Sequence, residues 1–355
     1  MHRNIALMAA LALVAAACGD SSKKSDSTGA STTTASSGVA LTGAGATFPY
    51  PLYSKWFDAY AAKTGVKINY QSIGSGGGIR QLSEQTVDFG ASDAPMTDAE
   101  MAKAKGGPIL HFPTTLGAVV LTYNLPGVTT PLKLTGDVVA AIYQGQITKW
   151  NDARIAALNS GVALPATDIL VVHRSDGSGT SYVFTDYLSA VSRAWATKPG
   201  KGKEVQWPVG LGAKGNEGVA GQVRQSPGAI GYVELAYANQ NRMPVAQLKN
   251  ANGEFVAPST ASVTAAAAGA VSKLPANTDY RVSIVSAPGA GAYPISSFTW
   301  ILVYQKQADA SKKAKLVDFL KWALSDGQTM AAPLDYAPLP EQMRTALVGR
   351  LGQIQ

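Results

Sequence analysis

The stretch VVHRSDGSGTSYVF, residues 171–184, runs from an apolar strand through a polar turn into an apolar helix. Ser178 is predicted as the N-cap of that helix, and Gly179 and Thr180 begin its first turn. The first N–H groups of a helix have no partner within it, and the helix dipole places positive potential there. This strand-to-helix corner is therefore suited to bind a small anion.

Two charged side chains lie in the same turn. Arg174 ends the strand, and its planar guanidinium could hold phosphate-like oxygens with two parallel hydrogen bonds. Asp176 could pair with Arg174 and hold it in place, or it could be an ordinary turn aspartate. The sequence leaves these two interpretations open.

Two further corners repeat the pattern nearer the N-terminus. In LTGAGATFPYP, Thr47 is predicted as an N-cap and Pro49 as a residue of the first helical turn. In YQSIGSGGGIRQ, Ser75 is predicted as the cap, and the glycines after it expose the backbone. Open α/β sheets bind ligands at the ends of their strands, so we expect the three corners to meet around one small oxyanion.

An acidic residue occurs in a stretch of the same kind, VDFGASDAP. Asp93 closes a short strand, and Thr97 with Glu100 forms a predicted capping box for the next helix. An ionised aspartate can only accept hydrogen bonds, so it suits a ligand that carries a proton. Phosphate keeps a proton near neutral pH, whereas sulfate has none to donate. Asp93 therefore predicts a site that prefers phosphate to sulfate.

The alternation of strand-like and helical runs predicts an α/β fold. The predicted strands are 66–72, 111–124, 168–174, 228–234 and 298–305, and the predicted helices are 49–63, 77–85, 179–194 and 311–324. Within the first helix, Leu52, Trp56 and Tyr60 recur at helical spacing and predict a core-facing stripe.

The folded part is long enough to predict two lobes, since one hydrophobic core seldom serves a chain of roughly 315 residues. The chain is expected to cross between lobes near FPTTLGAVV, after His111, and near SAPGAGAYPISS, from Ser286. These crossings predict one lobe from residues 41–115 with 291–355, and a second lobe from residues 116–290.

The N-terminus has the features of an export signal. Residues 1–17 combine a basic head with an apolar run too short to span a bilayer. Cys18, the only cysteine, follows and is the predicted lipid attachment site, although Ala15 stands where such signals usually have leucine. Residues 18–40 are rich in Ser, Thr and Gly and predict a flexible tether to the membrane.

Composition excludes several functional classes. The formal net charge is +7, but charged residues make up only 15% of the chain and the basic ones are scattered. Nucleic-acid-binding proteins usually cluster them, so no nucleic-acid partner is predicted. The histidines at positions 2, 111 and 173 lie far apart and the cysteine is single, so neither a metal site nor a cofactor is expected.

The chain resembles the high-affinity phosphate-binding proteins of bacterial ABC phosphate importers along nearly all of its length. The motifs that carry the resemblance are GAGATFP, GSGGG, DFGASDAP, DGSGTS, WPVGLGAKGN and PGAIGYVE, in the family's order and spacing. The resemblance implies a two-lobed, hinged periplasmic-binding-protein fold of type II, which closes on phosphate in the cleft between its lobes.

The resemblance also implies which residues contact the ligand. They are Thr47, Phe48 through its backbone amide, Ser75, Asp93, Arg174, Ser178, Gly179 and Thr180. Asp176 is implied as the partner of Arg174, and Gly76 departs from the serine that many relatives have. The implied protein is a monomer without catalytic residues. It is exported to the periplasm or the outer face of the cytoplasmic membrane and delivers phosphate to a membrane permease.

Two other functions fit the sequence less well. A serine hydrolase needs G-x-S-x-G, which neither Ser75 nor Ser178 has, and phosphoryl transfer needs metal ligands or a P-loop, whose spacing GLGAKGN lacks. His173 precedes Arg174 on a strand, so it is expected to face away from the site. An adhesive or signalling surface protein would suit the lipid signal, but it would not explain an acid among anion donors.

Overall fold

The computed structural model describes residues 40–271, 274–275 and 278–355. The predicted signal (1–17), Cys18 and all of the predicted tether except its last residue lie outside the described residues. None of the helices in the described ranges is long and apolar enough to cross a membrane.

Strands and helices alternate along the described chain, as an α/β fold requires. The strands are β1 (Leu41–Gly45), β2 (Ile68–Ser72), β3 (Phe89–Ser92), β4 (Ile109–Tyr123), β5 (Lys133–Leu134), β6 (Leu170–Arg174), β7 (Leu211–Ala213), β8 (Ala229–Glu234), β9 (Gln247–Lys249), β10 (Phe255–Val256) and β11 (Ser296–Tyr304). The helices are α1 (Tyr50–Thr64), α2 (Ser75–Ser83), α3 (Asp98–Ala102), α4 (Gly136–Tyr143), α5 (Ala153–Leu158), α6 (Gly179–Val191), α7 (Arg193–Thr197), α8 (Gly215–Gln225), α9 (Leu235–Gln240), α10 (Thr260–Val271), α11 (Ala310–Ala323) and α12 (Glu341–Arg350).

The main sheet has the order β2-β1-β3-β11-β4-β8-β6-β7. At one end β1 pairs in parallel with β2 and β3, and at the other β6 pairs in parallel with β7 and β8. We call β1, β2, β3 and β11 the β1 half, and β6, β7 and β8 the β6 half. Each half contains parallel strands, and helices begin just after the carboxyl ends of β1, β2 and β6.

β4 joins the two halves. Its residues 109–118 pair antiparallel with β11, and its residues 119–123 pair antiparallel with β8. The sequence predicted a strand in two parts here, whereas the structure has one strand of fifteen residues, all of them buried. Burial on both faces explains why this segment reads as an almost continuous run of apolar and threonine side chains.

The stripe on α1 packs as predicted. Leu52, Trp56 and Tyr60 are all buried, and the Trp56 indole donates a hydrogen bond of 2.7 Å to the carbonyl of Gly327. Tyr60 also packs edge-on against Phe319 of α11, with ring centroids 5.3 Å apart. The last part of the chain therefore covers the helix that follows β1.

The helix caps agree with the sequence in two cases and not in two others. Ser178 accepts a hydrogen bond from the Ser181 N–H at 2.9 Å, and Thr97 forms the predicted capping box of α3. Thr47 does not cap α1, because the helix begins after Pro49 and has no side-chain cap. The prediction for Ser75 was also wrong, because Ser75 is the first residue of α2 and Gly74 precedes it.

Candidate functional site

Three strand-to-helix corners meet in the fold. The first corner (residues 46–49) follows β1, the second corner (residues 73–77) follows β2, and the third corner (residues 175–180) follows β6. The N–H of Gly76 donates a hydrogen bond of 2.7 Å to the carbonyl of Gly177. Backbone from the β1 half therefore touches backbone from the β6 half directly.

The two halves also approach closely at Gly179, where α6 begins. A Cβ atom at this position would lie 2.5 Å from Oδ2 of Asp93, 2.7 Å from the Asp93 nitrogen, and inside the contact radius of the Ser75 hydroxyl. Real Cβ contacts do not come this close, so only glycine fits here. Ser75, Asp93 and Gly179 thus lie around one point, although they come from three separate elements.

A buried asparagine joins the first corner to the third. Asn216, in the first turn of α8, donates through Nδ2 to Thr47 Oγ1 at 2.7 Å and to Thr180 Oγ1 at 3.1 Å. Its Oδ1 accepts a hydrogen bond of 2.9 Å from the N–H of Glu234 at the end of β8. The Thr47 hydroxyl, predicted as a cap, therefore has a partner 169 residues away.

Two tyrosines hold the backbone of the first corner. The Tyr237 hydroxyl donates to the carbonyl of Thr47, and the Tyr336 hydroxyl donates to the carbonyl of Phe48, each at 2.6 Å. In a trans peptide the N–H points away from the C=O of the same unit. The Phe48 N–H is therefore directed away from Tyr237, in an orientation that the buried tyrosine fixes.

Asp176 pairs with Arg174, so of the two interpretations that the sequence left open, the pairing is the correct one. Nε and Nη2 of Arg174 donate to the two carboxylate oxygens of Asp176 at 2.7 and 2.5 Å, while Nη1 donates to Thr180 Oγ1 at 3.3 Å. Asp176 also accepts the Gly215 N–H at 3.1 Å. Burial alone would raise the pKa of Asp176, but the hydrogen bonds and charge of Arg174 lower it, so the pair is ionised.

Asp93 is buried at the end of β3. Its Oδ1 accepts a hydrogen bond of 2.8 Å from the Thr299 hydroxyl of β11, and its N–H donates to Ser75 Oγ at 3.2 Å. Burial raises the pKa of Asp93 to about 7, against the lowering effects of the Thr299 hydrogen bond and the Arg174 charge. Since Arg174 and Asp176 neutralise each other, the protonation of Asp93 decides the net charge of these side chains.

His173 faces away from these groups, as expected from its place on the strand. Its ring stacks on Trp207 with centroids 4.9 Å apart and planes within 12°. Burial lowers its pKa, so the imidazole is neutral near physiological pH. It packs against the indole, and its Nδ1 lies 3.0 Å from the carbonyl oxygen of Arg174.

Every predicted contact residue is buried, namely Thr47, Phe48, Ser75, Asp93, Arg174, Ser178, Gly179 and Thr180. Contacts between the corners connect Thr47, Ser75, Asp93, Arg174, Gly179 and Thr180, while Phe48 and Ser178 lie next to connected residues in the chain. Sequence reasoning missed Asn216 and Thr299, which hold Thr47 and Asp93 in position. For Asn216 a signal was present, because AKGN forms a fourth strand-to-helix corner, between β7 and α8. For Thr299 there was none, since a threonine inside a strand is ordinary.

The arrangement offers hydrogen-bond donors from neutral groups and from one guanidinium. It also offers one carboxylate, which accepts hydrogen bonds when it is ionised. The N–H groups of Gly179 and Thr180, in the first turn of α6, have no acceptor one turn earlier and can bind a ligand. The Ser178 hydroxyl oxygen accepts the Ser181 N–H as the cap of α6, and its hydrogen can still be donated to a ligand. Among the described residues no group of three or more His, Cys, Asp or Glu side chains is placed to hold a metal ion. The chemistry favours binding of a small tetrahedral oxyanion that carries a proton.

Comparison with known proteins gives a consistent result. A family model described as a PBP superfamily domain matches residues 28–327. A protein of Xylella fastidiosa (strain Temecula1) named phosphate-binding protein PstS is 49% identical over 86% of this chain and 83% of its own length. A protein of the same name from Methanocaldococcus jannaschii is 41% identical over 84% of this chain and 82% of its own length.

Solved structures show the same fold. A high-affinity periplasmic phosphate-binding protein, PfluDING, superposes with a TM-score of 0.69 at 22% identity, covering 87% of this chain and 93% of that one. A putative phosphate ABC transporter substrate-binding protein from Clostridium perfringens gives 0.61 at 18% identity, covering 85% and 100%. The fold is therefore the two-lobed type II arrangement, as the sequence led us to expect. On the family model and the curated relatives together, the chain belongs to the PstS phosphate-binding proteins of the PBP superfamily.

Proposed function

We propose that this protein binds inorganic phosphate outside the cytoplasmic membrane and delivers it to the permease of an ABC phosphate importer. The observation that carries the proposal is the contact of Gly179 with Ser75 and Asp93, which leaves donors and one acceptor around a single point. The names of the curated relatives support the choice of phosphate as the ligand.

In this proposal the ligand is held by the corners and by Arg174. The proposed contacts are Thr47, the backbone amide of Phe48, Ser75, Asp93, Arg174, Ser178, Gly179 and Thr180. Asp93 accepts the hydrogen of the phosphate, and Arg174 donates to its oxygens from the position that Asp176 maintains. Sulfate has no hydrogen to offer Asp93, and this is the proposed basis of selectivity.

The proposed lobes are residues 41–115 with 291–355, and residues 116–290. Support comes from β4, which changes its partner from β11 to β8 between Ala118 and Val119, close to the proposed crossing. The hydrogen bonds Gly76–Gly177 and Asn216–Thr47 then join opposite lobes. Such bonds exist only in a closed form, so phosphate shifts the population towards closure by binding that form better.

The proposal includes export and a lipid anchor. Residues 1–17 serve as the signal, Cys18 carries the lipid, and residues 18–40 let the monomeric binding domain reach the permease. Labelling cells with radioactive palmitate tests the anchor, because a Cys18→Ser chain should take up no label. A labelled Cys18→Ser chain would contradict the assignment.

The protein is proposed to be non-catalytic, and one experiment separates a carrier from an enzyme. Purified protein, dialysed free of phosphate, is titrated calorimetrically with phosphate and with sulfate, and a parallel sample is incubated with a phosphomonoester. Binding of phosphate with a 1:1 stoichiometry, much weaker binding of sulfate and no release of phosphate from the ester support the proposal. Turnover of the ester, or equal affinity for the two anions, would overturn it.

A further inference from the structure

An ion pair outside the corners joins the two halves of the sheet. Lys203, in the loop after α7, places its Nζ 2.7 Å from Oε1 of Glu100 on α3. The Lys203 side chain is 17% exposed and the Glu100 side chain 28% exposed, so water screens the pair less than a surface pair. We call it the cross-cleft ion pair, because α3 follows β3 of the β1 half and Lys203 precedes β7 of the β6 half.

Lys203 is tied to the third corner. Its carbonyl accepts a hydrogen bond of 3.0 Å from the N–H of Ser178, the residue that caps α6. The backbone that carries the lysine is thereby held next to Gly179 and Thr180. A movement of Lys203 away from Glu100 would therefore carry the start of α6 with it.

Glu100 is held just as firmly on the opposite side. Its Oε2 accepts hydrogen bonds from the Thr97 N–H at 2.9 Å and from the Thr97 hydroxyl at 3.1 Å, which leaves Oε1 for Lys203. Thr97 follows Asp93 by four residues on the same short segment. Burial alone would raise the pKa of Glu100, but Lys203 and Thr97 lower it, so the carboxylate is charged.

We propose that the cross-cleft ion pair stabilises the closed form and sets the rate at which phosphate leaves. This rests on the proposed function, and it extends that function to two residues that are not among the proposed ligand contacts. The pair is made only when the two halves meet, so it stabilises the closed form and not the open form to which phosphate first binds. Its loss should therefore raise the dissociation rate and leave the association rate unchanged.

The variants are chosen to remove charge and preserve shape. Lys203→Met keeps the length of the side chain, and Glu100→Gln keeps a residue that can complete the capping box with Thr97. The matched control is Lys149→Met, which breaks an ion pair of 2.6 Å with Asp168 that is confined to one stretch of the chain and is exposed. The full-length protein in mild detergent is used throughout.

Phosphate association and dissociation are measured by stopped-flow tryptophan fluorescence, the latter with excess scavenger for released phosphate. Each single variant should raise the dissociation rate about five- to tenfold, with the association rate within about twofold of wild type. The double variant should dissociate no faster than the faster single variant, because both changes remove one interaction. Lys149→Met should match wild type.

Several outcomes would overturn the proposal. One is a dissociation rate in Lys203→Met equal to that of the wild-type protein. Another is a double variant whose dissociation rate rises by the product of the two single effects. A third is a variant in which phosphate associates more slowly but does not dissociate faster. Failure of the wild-type protein to bind phosphate would overturn the proposed function as well, and that result is distinct from a wild-type protein that binds while its variants release normally.

Discussion

Replacing Asp93 by Asn should abolish the pH dependence of sulfate rejection. Burial raises the pKa of Asp93 to about 7, so the carboxyl group is largely protonated below that pH and largely ionised above it. A protonated Asp93 can donate to sulfate, whereas the ionised form can only repel it. Above about pH 7 the protein must therefore take up a proton to bind sulfate, at a cost of about 1.4 kcal/mol per pH unit.

The magnitude follows from the protonated fraction. Between about pH 6.5 and about pH 8.5 the protonated fraction of a group with this pKa falls about 25-fold. The Kd of wild-type protein for sulfate should rise by the same factor, equivalent to about 2 kcal/mol. In Asp93→Asn the amide is neutral at both values, so the sulfate Kd should stay within about twofold. Its phosphate Kd should rise about tenfold, because a charge-assisted hydrogen bond becomes a neutral one.

The assay is titration of intrinsic tryptophan fluorescence with each anion at both pH values and constant ionic strength. Asp58→Asn is the control, because it makes the same chemical change at an exposed position of α1. Two results would contradict this prediction. One is wild-type rejection of sulfate that does not vary with pH, and the other is an Asp93→Asn protein that keeps the 25-fold change.

Three further predictions concern space, geometry and acid stability. Gly179→Ala should weaken phosphate binding at least about 100-fold in calorimetry, because its Cβ would overlap Asp93; near-wild-type affinity would contradict the packing. Arg174→Lys should raise the phosphate Kd about 10- to 100-fold, since lysine cannot bond both Asp176 and the ligand with a planar fork; an unchanged Kd would argue against that role. His111 Nε2 accepts a hydrogen bond from the Met96 N–H. Burial, and to a smaller extent the positive charge of Arg281, lower the pKa of His111 to about 3. The unfolded chain therefore binds a proton below about pH 6.5 that the folded protein does not, which costs about 2 kcal/mol of stability by about pH 5. In urea unfolding, the free energy of unfolding of His111→Gln should therefore fall less on acidification than that of the wild-type protein. The same pH dependence in both proteins would contradict this prediction.

The positions of the main helices and strands could be predicted because their signals are local. The α6 helix was expected at 179–194 and lies at Gly179–Val191, while β8 was expected at 228–234 and lies at Ala229–Glu234. Apolar periodicity, glycines at turns and a serine before a helix act over a few residues, so they can be read without the rest of the chain.

The hydroxyls of Thr47 and Ser75 show where local reading fails. Both stand before or at a helix start, and both were expected to act as caps. In the fold each one has a distant partner instead, Asn216 for Thr47 and the Asp93 N–H for Ser75. A cap contributes about 1 kcal/mol, which a buried hydrogen bond to another element can match, so tertiary contacts decide between the two.

The order of residues along the chain is enough to show which residue types reach the ends of the strands, and with them the kind of ligand that the protein could hold. That these ends face one another, that Asn216 and Thr299 orient them, and that Lys203 reaches Glu100 depend on contacts between distant parts of the folded chain. The raised pKa of Asp93 also depends on the folded chain, because the cost of charging a carboxyl group depends on the water removed from it, and that water is excluded by elements far apart in the chain.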